Sequence, residues 1–420
     1  MQNFKPINFP QGFLWGAATS SHQVEGENFN DWSKWEKSQK RIKFLESKGL
    51  IKKYGLENFI SGKATDHYHR FSDDFQLAKK LGHNATRFSI EWSRIEPEAG
   101  YFNEKEIEHY KEVIAVLKEL KIEPFVTLWH FTLPVWLSDK GGWLNKDTPN
   151  YFARYAEKIV TALGNSVDFW ITINEPEVYA SNSYLVGAWP PQKKNLISYL
   201  CVLKHLIQAH KKTYQIIKKI NPQFQVGIAK NNIYFEPYKN KLINRFIKKI
   251  IDWWWNFYVL DQINNYQDFI GLNYYFHLCF NYFLNKNKNK NVSDLGQELD
   301  PGSIYFALKE LKHFNKPIYI TENGLADAND QKRSWFIFET LKGIKKAIDE
   351  NINVRGYFHW SLLDNFEWNK GFWPRFGLVE VDYQTLERKI RHSAQFYQDV
   401  CLLNGISEDI FNRYQKLLQT

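Results

Sequence analysis

Cysteine is scarce in this 420-residue chain. Its three copies, Cys201, Cys279 and Cys401, are far apart and form no CxxC pair. An odd, scattered set excludes a disulfide framework and a thiolate metal site, and it fits a reducing, cytoplasmic compartment. The histidines are scattered too, with no HxxxH or HExxH spacing beside a plausible partner, so no metal and no cofactor is expected. No run approaches the roughly 20 apolar residues of a membrane helix. The segment Met1-Gln-Asn-Phe-Lys-Pro6 lacks the apolar centre of a signal peptide. No membrane partner is therefore expected. No Gly-rich phosphate loop follows the first apolar run, and no internal repeat is visible.

Acidic residues are outnumbered, 46 against 55 Lys and Arg, for a formal charge of +9. Such an excess invites a nucleic-acid reading. The lysines argue against it, because they fall on helix-like segments such as 208–220 and 241–249, mixed with apolar residues and without a recognition motif. A solvated basic surface is expected instead, with no nucleic-acid partner.

Apolar and aromatic residues are plentiful, at 44% and 17%, which permits a sizeable core and argues against disorder. Sixteen tryptophans exceed ordinary packing needs, and some are available as flat platforms for a ligand. Eight apolar, strand-like runs recur: 12–19, 85–91, 123–129, 168–174, 225–231, 268–274, 317–322 and 354–360. Amphipathic segments separate them. Ile107, Tyr110, Ile114, Leu117 and Leu120 share one helix face, and 151–163, 196–220, 241–263, 303–313 and 334–350 behave similarly. Eight such units predict an α/β fold, a single (β/α)8 TIM barrel over 1–420 with inserted βα loops. A doubly wound sheet is the alternative. The insertions fall at 28–64 and at the Asn/Lys-rich stretch 285–299, a surface loop after the sixth strand.

Two of the runs end in glutamate. Phe169–Ile173 leads to Asn174-Glu175-Pro176, and Pro317-Ile-Tyr-Ile-Thr leads to Glu322-Asn323-Gly324. Pro176 cannot continue a strand, so Glu175 sits where a buried strand opens into a loop. A carboxylate there is costly unless it is used or paired. Two of them facing one pocket suit glycoside hydrolysis, in which one carboxyl protonates the leaving oxygen and the other attacks the sugar carbon or activates water. Nearly every other strand delivers a polar or aromatic group to the same rim. These are Gln23 and Glu25, Arg87, Trp129-His130, Asn273-Tyr274-Tyr275, Trp360 and Glu367-Trp368.

The chain resembles family 1 of the glycoside hydrolases, the retaining β-glucosidases and their relatives, from about residue 9 to 400. The motifs are Phe13-Leu-Trp-Gly-Ala-Ala-Thr-Ser20, Thr172-Ile-Asn-Glu-Pro176, Ile320-Thr-Glu-Asn-Gly324 and Trp360-Ser-Leu-Leu-Asp-Asn-Phe-Glu-Trp368, the last extended by Arg375-Phe-Gly-Leu378 and Val381-Asp-Tyr383. The resemblance implies Glu175 as acid/base and Glu322 as nucleophile. It implies Arg87 and Tyr275 as partners of Glu322, with Asn273 in support. Gln23, His130, Asn174, Glu367 and Trp368 match the family's sugar contacts, and Trp360 would floor the pocket. Strand alternation sends Tyr274 away from Tyr275, into packing.

The resemblance has gaps. Glu175 and Glu322 are 322 − 175 = 147 positions apart, shorter than expected, with the missing length after the fifth strand around Trp253-Trp-Trp255. This puts the aglycone preference in question. Trp129-His-Phe-Thr-Leu-Pro134 and Glu380 also differ from the commoner wording. Glu367 stands where relatives acting on 6-phosphorylated sugars carry a small residue, so an unphosphorylated substrate is expected, although Lys370 lies nearby. The implied activity is hydrolysis of terminal β-D-glucosyl residues of short oligosaccharides or aryl glucosides. The alternatives are β-galactosidase, β-fucosidase or β-mannosidase specificity, or a non-catalytic sugar-binding barrel. The partner is a small-molecule β-glycoside, and a homo-oligomer is left open.

Overall fold

A computed structural model describes residues 4–282, 284–288 and 290–419. Residues 1–3, 283, 289 and 420 lie outside it, so the readings of the N-terminal segment and of 285–299 are covered only in part. Eight parallel strands close into a barrel: β1 Leu14–Ala18, β2 Ala85–Ser89, β3 Glu123–Trp129, β4 Phe169–Asn174, β5 Gln225–Asn231, β6 Phe269–Asn273, β7 Ile318–Asn323 and β8 Val354–Trp360. They lie in chain order around the ring, with β8 paired to β1. All eight match the apolar runs read from sequence. The first strand is shorter than 12–19 because Gly12 turns the chain at φ +78°.

Each strand is followed by a helix. These are α1 His67–Lys80, α2 Glu104–Glu119, α3 Thr148–Leu163, α4 Leu196–Ile220, α5 Leu242–Ile251, α6 Ile304–Leu311, α7 Arg333–Asp349 and α8 His392–Leu403. The amphipathic pattern explains their seating: α2 buries Ile107, Tyr110, Val113, Ile114 and Leu117. Capping fixes where helices begin. The Asn195 side chain accepts the Ser198 N–H at the start of α4, and Asn103 does the same for Lys105 at α2.

The barrel interior is layered. Its lower layer is aromatic: Phe125 stacks on Phe169 at 4.2 Å, with Tyr319 and Phe358 at 5.2 and 4.9 Å from Phe125. Strand residues of alternate position share a face. Two positions further along, Phe125 therefore gives way to Thr127, Tyr319 to Thr321 and Phe358 to Trp360, while Ala85 gives way to Arg87. The interior thus changes from apolar to polar toward the strands' carboxyl ends. The long segment 28–64, read as an insertion, contains the helices Asp31–Glu36, Gln39–Ser47 and Leu50–Tyr54. After β5, a strand at Tyr234–Pro237 pairs with His277–Asn281 beyond β6.

Candidate active site

Both glutamate-bearing strands lose regular register just before their carboxyl groups. On β4 the pairing with β5 slips between Ile171 and Asn174, and on β7 the pairing with β8 slips between Ile320 and Asn323. Such irregularities re-aim side chains. Glu175 then takes a left-handed backbone, φ 41°, with its N–H on the Ala229 carbonyl at 2.8 Å. Pro176 disfavours the right-handed alternative for the residue before it. Glu175 and Glu322 line one cavity of about 370 Å³, together with His130, Tyr275, Trp360, Glu367 and Trp368.

Each oxygen of Glu322 has a donor. Arg87 Nη1 lies 2.5 Å from Oε1, and the Tyr275 hydroxyl donates to Oε2 at 2.6 Å. Arg87 is fully buried and is fixed by bonds to Thr127 Oγ1, the Thr321 carbonyl and Asn174 Oδ1, the last at 2.7 Å. A buried guanidinium with all its directions used is a rigid cation, which suits planar recognition of a carboxylate.

Glu175 is held differently. The Asn231 and Asn273 amides donate to its Oε1 at 3.1 and 3.0 Å. Among the described residues no Lys or Arg forms an ion pair with it. Burial, and next the negative charge of Glu322, push its carboxyl from the usual 4.5 up to about 7, against the lowering effects of the two amides and of the more distant Arg87 charge. Asn273 also donates to Asn174 Oδ1 and accepts from Thr321, so a continuous path runs Glu322–Arg87–Asn174–Asn273–Glu175.

Asn174 donates its amide N–H to His130 Nε2 at 3.1 Å, which assigns the ring hydrogen to Nδ1. Burial, and then the Arg87 charge, hold this histidine well below its usual pKa, so it is a neutral hydrogen-bonding group. Its ring lies near-parallel to Trp360 and Trp368, at 6.0 and 5.8 Å. His22 stacks on Trp368 at 5.8 Å. Glu367 is pushed up to about 8, chiefly by burial and then by the Glu322 and Glu175 charges, with Lys370 opposing. Tyr274 is buried among apolar residues, opposite to Tyr275.

Some residues named from sequence stand behind the cavity wall. Arg87 bonds Glu322 and Asn273 bonds Glu175, while Asn174 joins Arg87, Asn273 and His130. Gln23 is buried with both amide hydrogens used, on Asn365 Oδ1 and the Phe366 carbonyl, while its oxygen accepts from Ser20. Sequence reasoning missed Asn231 and Ile233, which border the same hollow, as does Trp255 of the tryptophan run after the fifth strand. The signal for Asn231 was available: it closes the fifth strand, the one strand whose terminal residues were not read for chemistry.

A closed parallel barrel with two carboxyl groups at its strand ends, one donor-bound and one proton-retaining, in an aromatic-walled hollow, is the arrangement of a glycoside hydrolase. The model of the glycosyl hydrolase family 1 matches residues 5–263 and 259–406. A 1,4-beta-D-glucan glucohydrolase from Thermotoga neapolitana is 33% identical over 95% of this chain and 99% of its own. A beta-galactosidase from Pyrococcus woesei is 30% identical over 96% and 98%. The structure of a beta-glycosidase from Pyrococcus horikoshii superposes with a TM-score of 0.85 at 38% identity, covering 98% of each chain. The chain belongs to glycosyl hydrolase family 1 and is an enzyme of that class.

Proposed function

We propose that this enzyme is a retaining β-glycosidase that removes terminal non-reducing β-D-glucosyl residues from short oligosaccharides or aryl glucosides by double displacement. The observation that carries the proposal is the contrast within one cavity. Glu322 has Arg87 and Tyr275 on its two oxygens, while Glu175, bound only by amides, is pushed up to about 7. In the first step Glu322 attacks the anomeric carbon while Glu175 gives its proton to the departing oxygen. The glycosyl ester cancels the charge on Glu322, which removes one cause of the high Glu175 pKa. Glu175, now a carboxylate, takes a proton from water, and the resulting hydroxide displaces the sugar from Glu322.

His130, Asn174 and Gln23 are assigned to the sugar hydroxyls, with Trp360 beneath the ring and Trp368 beside it. Asn174, fixed by Arg87 and Asn273, suits a bond that strengthens as positive charge grows on the sugar. Glu367, raised to about 8, meets the sugar at neutral pH as an acid able to donate as well as accept. Its value changes the reason for excluding a 6-phosphate. Direct repulsion by Glu367 is weaker than a carboxylate would give, and exclusion rests on a buried wall whose nearby cation is Lys370 alone among the residues that act on Glu367. A gluco- over galacto-preference is the leading reading, and the Pyrococcus woesei relative keeps the galacto-reading in view. The three free thiols support a cytoplasmic location.

The test is hydrolysis of chromogenic β-glucoside, β-galactoside, β-fucoside and β-mannoside by wild type and by Glu322→Ala. We expect the largest kcat/KM on the glucoside and a loss of at least about 10⁴-fold in the variant. Equal rates for the two proteins would refute the assignment of Glu322.

A further inference from the structure

Helix α5 carries most of its apolar residues on its outer face, with only Ile247 and Ile251 half-buried on the inner one. Asn244, Lys248 and Asp252, spaced one turn apart, face the protein. Asn244 donates to the Tyr238 carbonyl and accepts the Tyr282 N–H, and Lys248 pairs with Asp252 and Glu310. The apolar stripe points outward instead: Leu242 is 81% exposed and Phe246 64%, continued by Ile243, Ile250 and Trp253. Helices of soluble proteins normally bury that stripe.

The exposed stripe is not isolated. Trp254 lies 6.1 Å from Tyr199 of α4, whose first turns expose Leu196, Ile197 and Leu200. Several exposed apolar side chains on one helix face, beside a second such set, point to an interaction site. Cations border it. Lys241, Arg245 and Lys249 are exposed, and helical spacing sets Arg245 and Lys249 along one edge of the stripe. No helix among the described residues is long and apolar enough to cross a membrane.

We propose that α5 and the adjoining start of α4 form a docking face for an anionic lipid bilayer, with the helix lying in the plane of the headgroups. The apolar stripe would enter the acyl boundary and the basic edge would meet lipid phosphates or carboxylates. Charge complementarity selects this occupant over a second copy of the chain. Self-docking would place the same patch on both sides and bring its lysines and arginine together. The expectation of no membrane partner rested on the absence of a spanning run, which a short surface helix does not need. Trp255, two residues beyond Trp253, lines the cavity, so docking would set the mouth of the site close to the lipid surface.

Flotation with vesicles of 70% phosphatidylcholine and 30% phosphatidylserine, against vesicles of phosphatidylcholine alone, tests this on the full chain. We expect wild type to float with the anionic vesicles, with a partition coefficient falling at least about tenfold in Leu242→Ser/Phe246→Ser/Ile250→Ser and in Arg245→Glu/Lys249→Glu. Both variants alter exposed residues, and unchanged hydrolysis of a soluble chromogenic glycoside would show that they fold. Wild type that does not float, equal retention on neutral vesicles, or a triple variant that floats as well as wild type would overturn the proposal. So would a wild-type dimer in sedimentation that dissociates in the triple variant. Flotation does not depend on turnover, so its failure is distinct from failure of the catalytic assignment.

Discussion

The proton on Glu175 has two causes that one substitution can separate. Its rise from 4.5 to about 7 corresponds to roughly 3 kcal/mol against the charged form. Burial is the larger cause and the Glu322 charge the second, with the Asn273 and Asn231 amides opposing both. Glu322→Gln removes the charge and keeps the volume. We expect the Glu175 pKa to fall by roughly one unit, staying well above 4.5 because the burial remains. Carboxyl ¹³C NMR titration of the variant, with Glu322→Gln/Glu175→Gln to assign the resonance, reads the value directly. In the wild type the same proton sets the basic side of the pH–rate profile. Glu175 must be protonated to act as acid, so kcat/KM should decline as pH rises through about 7. A Glu175 value unmoved by Glu322→Gln would show that the two carboxyls do not share a field. A return to 4.5 would show that burial is not the main cause. Either result would refute the account given for the site.

Asn231→Ala removes an amide that favours the charged form of Glu175, so the basic limb of kcat/KM should move upward, by roughly half a pH unit; a downward move would contradict the hydrogen bond. Lys230 and Glu177 form a fully buried pair at 3.2 Å beside the site, with Lys230 also donating to the Asn231 and Trp255 carbonyls. Lys230→Met should destabilise by about 3–5 kcal/mol in urea unfolding, and Lys230→Met/Glu177→Leu should recover much of that loss; additive losses would argue against the pairing.

The barrel was legible because a parallel strand is buried on both faces and so writes its position as an apolar run. Glu175 and Glu322 were legible for the complementary reason: a charged residue closing such a run is out of place unless used. Gln23 was legible as a polar residue near the rim, but its engagement by Asn365, Phe366 and Ser20 depends on residues more than 340 positions away as well as on a near neighbour. The outward stripe of α5 was hidden for a different reason. Periodicity shows that a helix has two faces and not which face meets the protein; over 242–253 most of the apolar residues face outward, while 258–263 buries Val259, Leu260 and Ile263 as expected. The helices within 28–64 were missed because each is only five to nine residues long, too short for a repeating apolar face to show.

The engaged amide of Gln23 has a consequence for how a sugar enters. Under the proposed assignment, a hydroxyl arriving there finds both hydrogens already given to Asn365 and Phe366, while the amide oxygen, bound only by Ser20, keeps a lone pair. The amide is therefore set to receive a group that donates to it, and its orientation is settled before the sugar arrives.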